Sequence, residues 1–145
     1  MGKLAFVLLL ATATTATAEP RVVGKVPAFK TPSGNIICTY TLARGWPAEV
    51  ECGIYSGLIG ARAIPCSPGD PVTDRVALLT RGKASRVLCA GDPGPFTFRT
   101  DAPVLAYGRT WRGSGLVCSS ARTGLTCRSL SGHGFFLSRE TWRLY

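Results

Sequence analysis

Six cysteines constrain this 145-residue chain more than any other feature. They are Cys38, Cys52, Cys66, Cys89, Cys118 and Cys127. Their spacing contains no C-x-x-C pair, which argues against a zinc site, and an even number leaves no thiol over for catalysis. In a small exported protein such a set predicts three disulfides, although six cysteines can pair in many ways.

Strand periodicity around four of these cysteines favours two particular pairs. Cys38 and Cys52 each alternate with apolar residues, and turn-forming residues around Gly45 separate them, so a hairpin centred there would place them opposite each other. Cys118 and Cys127 would face each other in the same way across a four-residue loop over 121–124. Cys66 and Cys89 then pair by elimination. A register slip of one residue would undo both hairpin predictions.

The N-terminus has the three parts of a secretory signal peptide. Lys3 supplies positive charge, residues 4–11 form an apolar run, and residues 16–18 provide small side chains. The run is too short to span a bilayer, which needs about 20 apolar residues. We therefore expect a signal peptide over 1–18, cleavage near Ala18–Glu19, and one domain over 19–145 without a transmembrane segment, periplasmic or secreted.

The rest of the chain is typical of an all-β fold. Its 17 glycines and 10 prolines leave few windows for a helix. Short extended runs predict a small sandwich or barrel of about seven or eight antiparallel strands, stapled by disulfides. The predicted strands cover 35–41, 48–55, 75–80, 85–90, 103–108, 115–120, 124–130 and 134–138. One helical turn, capped by Ser138, is predicted over 138–143.

Two segments of the chain resemble each other faintly. Residues 33–39 match residues 114–119 with one residue fewer, and each segment opens a predicted cystine hairpin. Because turn-then-strand sequences look alike in general, we interpret the likeness as coincidence rather than as a repeat.

Several motifs point to a family. They are PSGNI-x-C over 32–38, the segment 104–108, and GLTC-x4-GHGF-x-LSR over 124–139. Together they resemble a family of small secreted bacterial proteins classed as a domain of unknown function, and the resemblance extends from about Phe29 to Tyr145. It implies export, a bacterial source and cystine hairpins, and it implies no chemistry.

Catalytic residues are sparse in this sequence. His133 is the only histidine and lies between glycines, where an imidazole more often hydrogen-bonds the backbone than serves as a base. Glu49 and Glu51 would share one strand face, as paired carboxylates of a glycosidase do, but two exposed edge glutamates explain the pattern more simply. We therefore expect no enzyme, no cofactor and no metal, with a hydrolase that uses His133 as an alternative.

The charge distribution favours a binding protein. Residues 19–145 contain 16 of the 17 basic residues and all 8 acidic ones, and residues 99–145 alone carry seven arginines and two acids. Arginine beside aromatic rings can stack on and neutralise an anionic ligand. The predicted binding residues are Arg109, Trp111, Arg112, His133, Arg139, Trp142 and Arg143. We expect an anionic envelope component or an acidic protein as partner rather than nucleic acid.

Two other interpretations compete with this one. Arginine-rich composition can follow genome composition alone, and the tryptophans can fill the core, where we expect at least two of the three to be mostly buried. The loop 131–134 also resembles the Ser-Gly-x-Gly loop of periplasmic C-type lysozyme inhibitors. A lysozyme-inhibitor-like protein is therefore an alternative, although a basic inhibitor would repel a basic lysozyme.

Overall fold

The computed structural model describes residues 27–62, 64–69 and 72–145, so the predicted signal peptide and its cleavage site lie outside the described residues. Within these ranges the chain forms ten strands and one short 3-10 helix. The elements are β1 (Ala28–Lys30), β2 (Ile36–Thr41), β3 (Glu49–Ile54), β4 (Val72–Leu79), β5 (Ser85–Cys89), the 3-10 helix (Gly94–Phe98), β6 (Thr110–Gly113), β7 (Leu116–Ala121), β8 (Gly124–Ser129), β9 (Gly134–Leu137) and β10 (Trp142–Leu144). No helix in the described ranges has the length and apolar character that crossing a bilayer requires.

The strands form two antiparallel sheets that pack face to face. The first sheet has the order β1-β2-β3-β4-β5, and the second has the order β10-β9-β8-β7-β6. Each strand pairs with its neighbour in sequence, so both sheets are simple meanders. Rings of Phe29 in β1 and Trp111 in β6 lie 5.4 Å apart, and Arg86 of β5 lies over Trp142 of β10. The predicted all-β fold is therefore confirmed, as a sandwich rather than a barrel, with ten strands in the described ranges instead of seven or eight.

Three disulfides staple the sandwich, as predicted: Cys38–Cys52, Cys66–Cys89 and Cys118–Cys127. The first joins β2 to β3 and the third joins β7 to β8, and in both the paired residues are directly opposite in the sheet register. Their four cysteines are fully buried in one core between the sheets. The loop between Cys118 and Cys127 is shorter than predicted, because Ala121 and Gly124 still pair.

The two cystine hairpins occupy equivalent positions in the two sheets. Cys38 and Cys118 are each the third residue of the second strand of their sheet. Cys52 and Cys127 are each the fourth residue of the third strand. The likeness between residues 33–39 and 114–119, which we interpreted as coincidence, thus marks topologically equivalent segments.

The structure corrects several predicted elements. Residues 103–108 form no strand and instead contribute one parallel bridge, between Lys30 and Val104. The turn after Ser138 is not helical: its hydroxyl does accept bonds from the N–H groups of Glu140 and Thr141, as a helix cap would, but its own N–H donates to the carbonyl of Thr141, which closes a hairpin into β10. The strands β1, β6 and β10 were not predicted, since each has only three or four residues and shows little periodicity.

The connection between β5 and β6 covers the outer face of the first sheet. A Cβ atom at Gly53 in β3 would lie 2.6 Å from Cζ of Phe96, so the glycine allows this ring to rest directly on the sheet. Ala28 and Ile37 form a second apolar cluster with Ala102 and Phe98. The connection therefore buries the part of the outer face around Ala28, Ile37 and Gly53.

Arg75 lies buried beneath this connection. Its side chain is 2% exposed, and Nη1 lies 2.9 Å from Oε1 of Glu51 and 3.0 Å from Oδ1 of Asp92. Glu51 is thus not an exposed edge glutamate, because β3 is an interior strand and its carboxylate is partly buried. Burial raises the pKa of Glu51, although Arg75 opposes part of the rise. A hydrogen bond from Arg75 lowers the pKa of Asp92.

We predict that Arg75→Met lowers the free energy of unfolding at neutral pH by about 3–5 kcal/mol, because it leaves a buried carboxylate without its cation. A carboxyl whose folded pKa is raised destabilises the fold only where it is ionised. The loss should therefore shrink as the pH falls through the pKa of Glu51 in the variant, which the removal of Arg75 raises further.

Urea unfolding of Arg75→Met and of Glu51→Gln/Arg75→Met checks this prediction. The double variant should be the more stable of the two at neutral pH, and the two should converge under acid conditions. Equal stability of both variants at neutral pH would contradict the assignment of the cost to Glu51.

Candidate functional site

The outer face of the second sheet is defined by strand alternation. Trp111, Cys118 and Cys127 point into the core, so the residues that alternate with them point outward. The outward positions are Thr110 and Arg112 in β6, Val117 and Ser119 in β7, Thr126 and Arg128 in β8, Phe136 in β9 and Arg143 in β10. Among these positions all the charged residues are arginines.

The arginines are distributed across the whole width of the sheet. Val117 pairs with Arg112 on one side and with Arg128 on the other, so these three form a row. Arg143 pairs with Phe136 near the opposite edge. Residues 102–139 contain no aspartate or glutamate, so the strands bring no carboxylate to offset this charge.

Two of the arginines stack on aromatic rings. The guanidinium carbon of Arg143 lies 5.3 Å from the ring centroid of Phe136. That of Arg128 lies 5.7 Å from the ring of Tyr145, and its Nε donates a 3.2 Å hydrogen bond to the Tyr145 hydroxyl. Stacking holds the planar head against the sheet while its other N–H donors remain at the surface. We call Arg112, Arg128 and Arg143 the arginine face.

The prediction and the structure agree on part of this face. Arg112 and Arg143 were predicted as contacts, and both are exposed there. Arg128, which the prediction does not include, lies on the strand midway between them. The sequence does predict an outward position for Arg128, because it directly follows Cys127, whose side chain faces the core.

The structure corrects the prediction for Trp111. Its side chain is 0% exposed and packs against the rings of Phe29 and Tyr40, so it cannot stack on a ligand. Trp142 is partly buried, also faces the core, and donates a 3.0 Å hydrogen bond from Nε1 to the carbonyl of Ile59. These two tryptophans serve the core, whereas Trp46 is 76% exposed.

Arg109 and Arg139 lie away from the arginine face. Arg109 directly precedes β6, and its carbonyl accepts a hydrogen bond from the N–H of the buried Ser120. By strand alternation Arg109 is on the same side of the sheet as Trp111, which is the core side. Arg139 lines a polar cleft of about 280 Å³ at one end of the sandwich. Arg122 and Glu140 line the same cleft, which thus contains charges of both signs.

His133 lies in the turn between β8 and β9 and is partly buried. Its carbonyl accepts hydrogen bonds from the backbone N–H and the hydroxyl of Ser129. Glu49 and Glu51 point to the outer face of the other sheet, where Glu51 is paired with Arg75. The structure therefore does not bring these glutamates together with the histidine.

The model of a family described only as being of unknown function matches residues 4–145. No curated protein matches the chain. No solved structure matches it either.

We predict that Trp142→Phe lowers the free energy of unfolding by about 0.5–1.5 kcal/mol, because the hydrogen bond to the carbonyl of Ile59 is lost and water takes its place. Affinity for anions should stay unchanged, since the indole faces the core. Chemical unfolding and a polyanion binding assay on the same variant check this. Unchanged stability combined with lost affinity would instead identify Trp142 as a stacking residue for the ligand.

Proposed function

We propose that this chain, which belongs to the family of unknown function DUF6636, is a non-catalytic binding module for an anionic partner. The observation that carries the proposal is the arginine face, whose outward charged residues all have the same sign. Arginine pairs with carboxylate, phosphate and sulfate through two parallel N–H bonds, which gives geometric selectivity as well as attraction.

The contrast between the two sheets supports this surface as the binding site. On the first sheet, the β5–β6 connection covers part of the outer face, and the arginine beneath it, Arg75, is neutralised by two carboxylates. On the second sheet, Arg112, Arg128 and Arg143 are exposed, and Arg128 and Arg143 stack on aromatic rings rather than pairing with acids. Their guanidinium groups can therefore pair with the negative charge of a partner.

The spacing of the arginines indicates the kind of partner. Arg112, Arg128 and Arg143 lie on β6, β8 and β10, so each is two strands from the next. With strands about 4.8 Å apart, the three span roughly 20 Å of a flat surface. That spacing suits a polymer with repeated anionic groups, such as an acidic envelope glycan, better than a single small anion.

The disulfides are compatible with a protein that works in an oxidising compartment, outside the cytosol. We place the proposed encounter in the periplasm or outside the cell for that reason. Net positive charge would speed the encounter with a polyanion and make it sensitive to salt.

The test compares two variants that lose the same charge. Arg112→Gln/Arg128→Gln/Arg143→Gln removes the arginine face, and Arg62→Gln/Lys83→Gln/Arg99→Gln removes three exposed charges elsewhere. We expect the first variant to bind a sulfated or carboxylated polysaccharide about tenfold or more weakly than the wild type, because three ion contacts are lost. The control should lose much less.

Titration across a salt series gives the second readout. The slope of log affinity against log salt should fall by about one for each ion contact removed in the first variant. Equal losses in both variants would reduce the effect to net charge and overturn the proposed site. If the first variant lost affinity for an acidic protein but not for the polysaccharide, the partner would be an acidic protein rather than a glycan.

A further inference from the structure

The end of the sandwich opposite the polar cleft exposes large apolar side chains. Leu42, Trp46 and Leu130 are 65%, 76% and 83% exposed, which makes them the most exposed large apolar residues of the described chain. Leu42 and Trp46 belong to the β2–β3 loop, and Leu130 belongs to the β8–β9 turn. We call these three residues the apolar tip.

Hydrogen bonds and close contacts hold these two connections together. Thr80 donates from its N–H to the carbonyl of Ala48 and from its hydroxyl to that of Ser114. The N–H of Leu130 donates to the carbonyl of Gly115. A Cβ atom at Gly115 would lie 2.9 Å from Cγ2 of Thr80 and 3.3 Å from Cδ1 of Leu130, so the two sheets touch here.

Positive charge accompanies the apolar tip. Arg44 is exposed between Leu42 and Trp46, and Arg81 lines a groove of about 370 Å³ together with both of them. The connections that form this end, residues 42–48, 80–84, 114–115 and 130–133, contain no acidic residue. The nearest acid in sequence is Glu49, which starts β3 and is partly buried.

We propose that the apolar tip docks on the surface of a lipid bilayer with anionic headgroups. An exposed indole is suited to the headgroup level of a bilayer, where its ring is in an apolar layer and its N–H remains hydrated. Arginines beside it are attracted to anionic headgroups. A fluid surface also accommodates apolar side chains that protrude singly from separate turns, as these do.

This inference does not depend on the proposed function, although the two surfaces adjoin. Leu130 and Arg128 line one shallow groove along β8, so docking through the tip would bring the arginine face close to the bilayer. A polymer anchored in that bilayer would then lie within reach of Arg112, Arg128 and Arg143.

Trp46 is itself the probe for the test. Vesicles of phosphatidylcholine with phosphatidylglycerol, brominated in the acyl chains, should quench its fluorescence, read as the difference between the wild type and Trp46→Phe. Vesicles of phosphatidylcholine alone should quench it less. All variants have the same length, so the apolar residues 4–11 contribute equally to each measurement.

Paired variants separate the tip from general hydrophobicity and from the arginine face. Leu42→Ser/Leu130→Ser should weaken vesicle binding at least tenfold, whereas Leu88→Ser/Val104→Ser, at exposed apolar residues elsewhere, should bind like the wild type. Trp46 quenching should persist in Arg112→Gln/Arg128→Gln/Arg143→Gln even if that variant no longer binds polysaccharide.

Three results would overturn the inference. One is vesicle binding by the tip variant that equals that of the wild type. Another is vesicle binding that is lost in the Arg112→Gln/Arg128→Gln/Arg143→Gln variant but kept in the tip variant, which would make the arginine face the membrane contact. The third is the absence of any vesicle binding, which would leave the tip as a contact for a protein partner.

Discussion

Two cross-strand disulfides at the centre of the core determine which residues face outward. Cys38–Cys52 and Cys118–Cys127 join the second and third strands of the two sheets, and all four cysteines are fully buried between them. A slip of one residue in either hairpin would exchange the core face with the solvent face. Because Cys127 must face inward, Arg128 must face outward, and the pairing across β6 to β10 aligns Arg112 and Arg143 on the same surface.

The two sheets share this architecture but differ in their outer faces. Gly53 and Gly94 leave room for the β5–β6 connection to lie on the first sheet, with Phe96 and Arg75 against them. Arg75, the buried arginine on that side, pairs with Glu51 and Asp92 and is therefore not available to a ligand. On the second sheet no carboxylate lies among the strands, and Arg128 and Arg143 stack on rings at the surface. One meander thus supplies stability, and the other presents charge.

Period-two patterning predicted both cystine hairpins, because each cysteine lies within a long alternating strand. The same reasoning, applied to Trp111, would have placed it in the core between two outward residues. The prediction of Trp111 as a contact is wrong because basic residues beside aromatic ones resemble a surface motif unless strand alternation is considered as well. The burial of Arg75 could not be predicted from the sequence around it, because it depends on Glu51 and Asp92, which belong to other elements. The exposure of Trp46 likewise depends on how the β2–β3 loop packs beside the β6–β7 and β8–β9 turns, which the local sequence does not determine.

Disulfide mapping of the non-reduced protein tests the central claim most directly. Trypsin cleavage at lysine and arginine would leave each cysteine in its own peptide: 31–44, 45–62, 63–75, 87–99, 113–122 and 123–128. The structure predicts three linked pairs by mass spectrometry, joining 31–44 to 45–62, 63–75 to 87–99, and 113–122 to 123–128. Any other linkage, or a free thiol in these peptides, would contradict the register on which the arginine face depends.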